Sequence, residues 1–144
     1  MGAKKRILII EDDEEMRSLL KDFIEHQGFE ADCEEKGTYA LRKLMTESFA
    51  LIISDIRMSG FNGLDILTGL RKLQPEIPII VITAFGGEAV QREAYEKGAT
   101  VYLEKPIDFH ELKKLIHKMI SLRKENERRV KNGRNSNCFP WEAV

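Results

Sequence analysis

Polar residues whose side chains can take part in catalysis or metal binding stand at the ends of short apolar runs of the chain. They are Glu11, Asp12 and Asp13, followed by Asp55, Thr83 and Lys105. Carboxylates a few ångströms apart repel by about 4 kcal/mol per pair at an effective dielectric of about 20, so a cation must neutralise them. Mg²⁺ suits such a cluster because it prefers oxygen ligands, commonly one or two carboxylates with a phosphate. With Mg²⁺ and a lysine present, one carboxylate can attack a phosphoryl donor while a hydroxyl binds a transferred oxygen.

The elements that must position these residues are short strands alternating with helices. The apolar runs are ILII at 7–10, FEADC at 29–33, ALIIS at 50–54, IPIIVI at 77–82 and TVYL at 100–103, and each precedes a segment of helical periodicity. Unbroken Ile, Leu and Val indicate strands covered on both faces, whereas the alternation of FEADC suits an edge strand. We therefore predict an α/β fold with a doubly wound, five-stranded parallel sheet. Ligands bind such sheets at the carboxyl ends of the strands, where the polar residues lie.

The helices between these strands have recognisable apolar faces and ends. One face combines Met16, Leu19, Leu20, Phe23 and Ile24 in a helix that stops at Gly28, and another combines Leu64, Leu67, Leu70 and Leu73 after Gly63. Asp13 directly precedes the first helix, so its expected role is the N-cap rather than metal binding. Gly63 is expected to serve a turn or a close backbone approach.

The last helix begins at Asp108, an expected N-cap with Glu111 three residues later. Its apolar positions end near residue 122. Beyond that point the heptad seam contains Asn126 and Arg129, which makes a coiled coil weak. We predict that residues 1–122 form the domain and that 123–144 form a helical extension and a disordered tail.

Composition narrows the class of protein. Of 144 residues, 42% are hydrophobic and 33% charged, and no apolar run approaches the ~18 residues of a membrane helix. The N-terminal apolar run is too short for a secretory signal, so a cytoplasmic location is expected. Residues 1–120 carry 17 Lys and Arg against 21 Asp and Glu, which argues against nucleic-acid binding by the body. Cys33 and Cys138 lie outside any CxxC motif, so free thiols are expected.

A family resemblance is carried by the strings ILIIEDDEEMR, LIISDIRMSGFNGLDIL, IIVITAF and YLEKP. In this order and spacing they resemble the receiver domain of two-component response regulators, over residues 5 to about 122. The resemblance implies a flavodoxin-like receiver fold with strand order 2-1-3-4-5 and an extended C-terminal helix.

The resemblance also implies a role for each matching residue. Asp55 matches the phospho-acceptor, and Lys105 matches the lysine that pairs with the phosphate. Glu11, Asp12, Asp55 and the backbone carbonyl of Arg57 match the Mg²⁺ ligands. Thr83 and Tyr102 match the switch hydroxyl and the switch aromatic, and Pro106 matches a proline that follows a cis peptide bond.

The resemblance implies a signalling switch rather than an enzyme, catalysing only its own phosphorylation and dephosphorylation. The phosphoryl donor is expected to be a sensor histidine kinase or a phosphotransfer protein, and no membrane partner is expected. The output face is expected to combine the helix after residue 88, the strand at 100–103 and the last helix. The DIRM string and the basic extension resemble receivers of nitrogen-regulation-type transcriptional activators, which is compatible with transcriptional output and with a homodimer on phosphorylation.

Other functions stay open at this point. A haloacid-dehalogenase-like phosphatase needs DxD after the first strand, where this chain has EDD. A pseudo-receiver would keep the fold without the chemistry. A small flavodoxin-like binding protein needs a Ser-, Thr- and Gly-rich phosphate loop after the first strand.

The chain departs from the usual family pattern at two positions. Ser59 replaces a common proline, and Glu11 replaces the commoner aspartate. The resemblance implies that hydrolysis of an acyl phosphate on Asp55 depends on the side chains two residues after the acceptor and two after the threonine, here Arg57 and Phe85. Neither offers a carboxylate or amide that would orient water, so we expect Phe85 to screen the phosphoryl group and slow its hydrolysis.

Overall fold

The computed structural model describes residues 4–58, 61–84 and 86–131, with backbone alone for residues 57, 58, 61, 62, 130 and 131. Ser59, Phe85 and the segment 132–144 lie outside the described residues, so the expectations for them stay predictions. The chain divides at Pro106 into two compact units.

Strands and helices alternate along the first unit, and a helix forms the described part of the second. The strands are β1 (Arg6–Ile10), β2 (Glu30–Glu34), β3 (Leu51–Asp55), β4 (Arg57–Met58), β5 (Phe61–Asn62), β6 (Ile79–Thr83) and β7 (Val101–Glu104). The helices are α1 (Glu14–His26), α2 (Gly37–Leu44), α3 (Gly63–Leu73), α4 (Glu88–Glu96) and α5 (Phe109–Lys131).

The five longer strands form one sheet in the order β2-β1-β3-β6-β7, and every neighbouring pair is parallel. This confirms the expected order 2-1-3-4-5 and the flavodoxin-like receiver fold. Every residue of the central strands β3 and β6 is buried, whereas the edge strands β2 and β7 are partly exposed. The unbroken Ile, Leu and Val runs therefore occupy the sheet centre because helices cover both of its faces.

One face of the sheet shares a core with three helices. From the strands this core takes Leu8, Ile10, Ile52, Ile79, Val81 and Tyr102, and from α2, α3 and α4 it takes Ala40, Leu44, Leu64, Ile66, Leu67, Leu70 and Ala94. Helix α1 instead contacts β1 and β2. Its buried residues Leu20 and Ile24 lie outside that core cluster.

The ends of α1 confirm two predictions, and its surface corrects one. The Asp13 side chain accepts a hydrogen bond of 2.9 Å from Met16 N, so Asp13 is the N-cap. Gly28 has φ +89°, the left-handed conformation that ends helices. Leu19 was expected on the buried face but is 49% exposed. The apolar face is narrower than its composition indicated, because the helix buries only the positions that meet the sheet.

Helix α5 begins as expected and runs further than the expected domain end. Asp108 Oδ1 accepts hydrogen bonds from His110 N (3.0 Å) and Glu111 N (3.2 Å), which confirms the N-cap. The helix continues without a break past residue 122 to Lys131. Asn126, expected in the seam, is buried. The domain boundary at residue 122 remains a prediction.

Within the described part of the chain, no helix combines the length and the apolar character needed to cross a membrane.

Candidate active site

The site lies where parallel strands end at one edge of the sheet. Ile10 of β1 pairs with Ser54 of β3, so Glu11 and Asp55 follow at the same level. Thr83 of β6 pairs with Glu104 of β7, so Lys105 emerges just beyond that pair. Parallel pairing alone therefore brings together residues that are up to 94 positions apart in the chain.

A single ammonium group joins two of these carboxylates. Lys105 Nζ donates hydrogen bonds of 2.7 Å to Asp55 Oδ2 and 3.0 Å to Glu11 Oε1. Glu11 and Asp55 are buried, with 1% and 5% of their surface exposed. One carboxylate oxygen each from Glu11, Asp12 and Asp55 lies within 4.8 Å of the other two. An oxygen cluster of this size could hold a divalent cation.

Lys105 does not fully compensate the negative charge of the Glu11 and Asp55 carboxylates. Burial raises the pKa of Glu11 to about 8, and its hydrogen bond with Asp55 acts in the same direction, against the effect of Lys105. Burial alone would lower the pKa of Lys105, but hydrogen bonds with Asp55 and Glu11 raise it overall. The ammonium therefore stays charged, while one carboxylate of the pair is held towards its neutral form.

The loop that carries the acidic residues after β1 is fixed through its backbone. Glu11 N donates a hydrogen bond of 3.0 Å to Glu34 O at the end of β2. Arg17 Nη1 donates hydrogen bonds to the carbonyl oxygens of Glu11 (3.0 Å) and Asp12 (3.3 Å). Arg17 was not predicted to belong to the site. Its location one turn into α1, directly behind the acidic residues, is the signal that could have identified it.

The segment after Asp55 turns back at once. Ile56 N donates a hydrogen bond of 3.3 Å to Ile82 O, and Gly63 N donates one of 3.0 Å to Ile56 O. A Cβ atom on Gly63 would lie 2.3 Å from the Ile56 backbone, which confirms the expected close approach. The intervening antiparallel pair β4–β5 was not predicted. Arg57, whose carbonyl was expected to bind metal, is the first residue of β4.

Thr83 and Tyr102 lie on the face of the sheet that α2, α3 and α4 cover. Thr83 ends β6 fully buried, and its carbonyl oxygen accepts a hydrogen bond of 2.8 Å from Lys105 N. Tyr102 is 8% exposed and pairs with Val81, two residues before Thr83. The peptide bond between Lys105 and Pro106 is cis, as expected. The sheet thus links the switch candidates to Lys105 through adjoining backbone.

Comparison with known proteins places this geometry in a family. A family model described as the response regulator receiver domain matches residues 7–117. The transcriptional regulatory protein CpxR of Escherichia coli (strain K12) is 34% identical over 139 residues, covering 96% of this chain and 59% of CpxR. The transcriptional regulatory protein ZraR of Klebsiella oxytoca is 32% identical over 111 residues, covering 77% of this chain and 25% of ZraR. The chain thus spans less than two thirds of the length of these relatives.

Solved structures give the same result. A CheY-like response regulator receiver domain protein from Methanospirillum hungatei JF-1 superposes with a TM-score of 0.82 at 26% identity, covering 86% of this chain and 99% of that one. The beryllofluoride-activated NtrC4 receiver domain dimer superposes with a TM-score of 0.76 at 27% identity, covering 81% and 96%. The sheet order, the acidic cluster at the strand ends and these matches together show that the chain belongs to the response regulator receiver domain family of two-component signal transduction.

Proposed function

We propose that the chain is a phosphorylation-controlled switch in which Asp55 accepts a phosphoryl group from a histidine kinase or a phosphotransfer protein. The observation that carries the proposal is the Lys105 ammonium, which donates hydrogen bonds to the Asp55 and Glu11 carboxylates at the carboxyl end of a parallel sheet. A buried nucleophile beside a fixed cation is an arrangement that suits phosphoryl transfer, because charge on the transferred oxygens needs prior stabilisation.

The donor set fits Mg²⁺. Glu11, Asp12 and Asp55 supply oxygen atoms alone, and those atoms lie close enough to share one ion. The raised pKa of Glu11 supports the same fit, since a second cation would relieve the carboxylate repulsion. We assign the Arg57 backbone carbonyl as a further ligand. When bound, Mg²⁺ supplies positive charge to the phosphoryl oxygens.

The residues of the chain then act as follows. An Asp55 carboxylate oxygen attacks phosphorus, the phosphorus–nitrogen bond of a phosphohistidine breaks, and the departing imidazole nitrogen takes up a proton. Lys105 keeps Asp55 oriented before transfer and pairs with the phosphoryl group afterwards. The Thr83 hydroxyl donates a hydrogen bond to another phosphoryl oxygen. Apart from this transfer and the later hydrolysis of the aspartyl phosphate by water, which releases inorganic phosphate, no turnover is proposed.

The aspartyl phosphate changes the charge at the site by roughly one unit, because a phosphate carries about −1.5 to −2 where the carboxylate carried −1. In the proposed switch Thr83 moves towards the phosphate, and Tyr102, which is 8% exposed in this structure, changes its position with it. The output face comprises α4, β7 and α5, whose alternative arrangement becomes more populated.

Transcriptional control through a partner or an attached output domain is the proposed output, supported by the relatives CpxR and ZraR, which are transcriptional regulatory proteins. A homodimer on phosphorylation is supported by the beryllofluoride-activated NtrC4 receiver domain dimer. A cytoplasmic location follows from the proposed kinase partner.

The two alternative functions have less support. A haloacid-dehalogenase-like phosphatase is disfavoured by the receiver family match and by the EDD sequence after β1. A pseudo-receiver, which would act without phosphorylation, is disfavoured because Glu11, Asp12, Asp55 and Lys105 are all present and close together.

The test is incubation of the protein with acetyl phosphate and Mg²⁺, followed by intact-mass measurement and sizing. We expect the mass of one phosphoryl group to be added, with no addition in D55N or in EDTA. D65N is the matched control because Asp65 is an exposed acid on α3, and it should be phosphorylated normally. A wild-type protein that gains no mass would contradict the proposal and favour the pseudo-receiver. A shift to dimer indicates transcription-factor-like output, and a constant monomer indicates a stand-alone regulator.

A further inference from the structure

Arg17 makes an unusual set of contacts with the acidic loop. Its Nη1 atom donates hydrogen bonds to Glu11 O (3.0 Å) and Asp12 O (3.3 Å), and its backbone N–H donates to Asp13 O (2.9 Å). The bond to Asp13 O is the first backbone hydrogen bond of α1, so the Arg17 side chain itself holds two successive carbonyl groups, those of Glu11 and Asp12.

These contacts fix the backbone on both sides of Asp12. The Glu11 carbonyl belongs to the peptide plane before the Asp12 Cα, and the Asp12 carbonyl belongs to the plane after it. Because peptide units are planar, a hydrogen bond to each carbonyl restricts the two backbone dihedral angles at Asp12. The direction of a side chain depends on those dihedral angles, so Arg17 also limits where the Asp12 carboxylate can point.

Arg17 and Lys105 contribute positive charge in different ways. Lys105 hydrogen-bonds to carboxylate oxygens of Glu11 and Asp55, whereas the side-chain bonds of Arg17 described above go to carbonyl oxygens. A guanidinium suits that task, since its planar fork can serve two acceptors at once. Arg17 therefore adds positive charge to the loop through hydrogen bonds to backbone carbonyl oxygens.

We propose that Arg17 is a positioning residue for a divalent cation, one that presets the Asp12 carboxylate and thereby raises metal affinity; this rests on the proposed function, in which Asp12 is a Mg²⁺ ligand. Arg17 touches neither the ion nor the phosphoryl group and acts through the loop backbone. Residues that orient metal ligands in this way typically contribute about 10- to 100-fold to metal affinity.

The experiment compares wild type with R17A, R17K and K21A as the full 144-residue chain. Lys21 is the matched control because it lies one turn further along α1, is exposed, and carries the same charge. Isothermal titration with Mg²⁺ gives the Kd, and thermal unfolding in EDTA reports stability separately. We expect R17A to weaken Mg²⁺ binding by about tenfold or more. R17K should recover part of that loss, and K21A should stay within about twofold of wild type, since its charge is screened by solvent.

Phosphorylation by acetyl phosphate at varied Mg²⁺ separates positioning from general damage. A positioning role raises the Mg²⁺ concentration that gives half the maximal rate in R17A, but the rate at saturating Mg²⁺ stays near that of wild type. Damage to the fold lowers both quantities. If R17A does not fold in EDTA, as judged by circular dichroism, R17K decides the question through the same two measurements.

Each result has a distinct meaning. An unchanged Mg²⁺ Kd in a folded R17A, an equal loss in K21A, or a lower rate at saturating Mg²⁺ overturns the role of Arg17. Wild type that binds no Mg²⁺ and gains no phosphoryl group overturns the proposed function itself. The two failures are therefore distinguishable.

Discussion

Lys105 Nζ lies 2.7 Å from Asp55 Oδ2, at the end of a sheet whose register places both residues at the same edge. The same ammonium lies 3.0 Å from Glu11 Oε1. Because Glu11 and Asp55 are almost fully buried, this cation compensates charge that water cannot reach. The ion pair therefore links stability and chemistry at one site.

Replacement of Lys105 by methionine should destabilise the metal-free protein. Removing one partner of a buried ion pair costs about 3–5 kcal/mol. Because the Lys105 side chain is partly exposed, the expected loss lies at the lower end, about 3 kcal/mol. Urea unfolding at pH 7 in EDTA measures it. K97M is the control, because Lys97 pairs with the exposed residues Asp65 and Glu93 and should cost less than about 1 kcal/mol. Equal losses in the two variants would contradict the prediction.

The buried Glu11 carboxyl should make stability fall as pH rises. Its pKa is raised by burial from 4.5 to about 8, so the folded state binds a proton that the unfolded state has already released between those values. The stabilisation is complete below about pH 4.5 and is lost as pH rises to about 8. E11Q should flatten this dependence in EDTA and be more stable than wild type at pH 8.

Urea unfolding between pH 5 and pH 8.5 in EDTA tests the Glu11 prediction, with exposed Glu14 replaced by glutamine as the control. E14Q should keep the wild-type pH dependence. If the free energies of unfolding of E11Q and wild type change in parallel over this range, the pKa of Glu11 is not raised in the folded protein.

An ion-pair network that joins β1, β2 and α2 should contribute stability that is lost as pH falls, the reverse of the dependence expected for Glu11. Asp32 accepts a hydrogen bond from Arg6 and forms an ion pair of 3.1 Å with Lys43. Burial acts to raise the pKa of Asp32, but its partners lower it overall. The stability from this shift is therefore present above the unfolded pKa of about 3.9 and is lost as pH falls through the lower folded pKa.

D32N should accordingly lose about 1 kcal/mol at pH 7 and show a weaker loss of stability on acidification than wild type. Chemical unfolding from pH 7 down to about pH 2.5 measures both effects, since that range extends below the unfolded pKa. D22N is the control, as Asp22 is an exposed acid on α1. A D32N protein that loses stability on acidification as steeply as D22N would rule out the Asp32 contribution.

Sequence patterns were sufficient to locate the strands and the acidic cluster. Unbroken apolar runs marked β1, β3 and β6 because strands at the centre of a parallel sheet are covered on both faces. The polar residues that end those runs converge because parallel strands share one carboxyl edge. The strand order and the individual roles came instead from the resemblance, since periodicity does not specify which strands are neighbours.

Other features follow from three-dimensional contacts that no local pattern records. The β4–β5 pair has two residues in each strand, too few for a periodic signal. Arg17 was missed because an arginine on a helix is most often a solvated residue, and its carbonyl partners depend on the loop conformation. Leu19 was misassigned because an apolar residue type does not guarantee burial.

Gly86 should control the position of the Tyr102 ring. A Cβ atom at Gly86 would lie 1.7 Å from the Tyr102 hydroxyl oxygen and 2.9 Å from Cζ, distances that no packed structure tolerates. Tyr102 is almost buried, and its backbone N–H donates a hydrogen bond of 3.2 Å to the Tyr95 hydroxyl. The ring therefore has to move in G86A while the strand backbone is held. We expect the Tyr102 side chain to become more exposed without phosphorylation.

Fluorotyrosine NMR measures this displacement, with the Tyr102 signal assigned by its loss in Y102F. A double-mutant cycle supplies the control, because Y102F removes the oxygen that the new methyl group would meet. Unfolding should show that G86A costs about 1–3 kcal/mol in the Tyr102 background and less in the Y102F background. A G86A protein whose Tyr102 resonance and stability match wild type would show that the loop moves instead of the ring. In that case the position of Tyr102 without phosphorylation would not depend on Gly86, and the proposed coupling between Thr83 and Tyr102 would have to be sought in β6 and β7 alone.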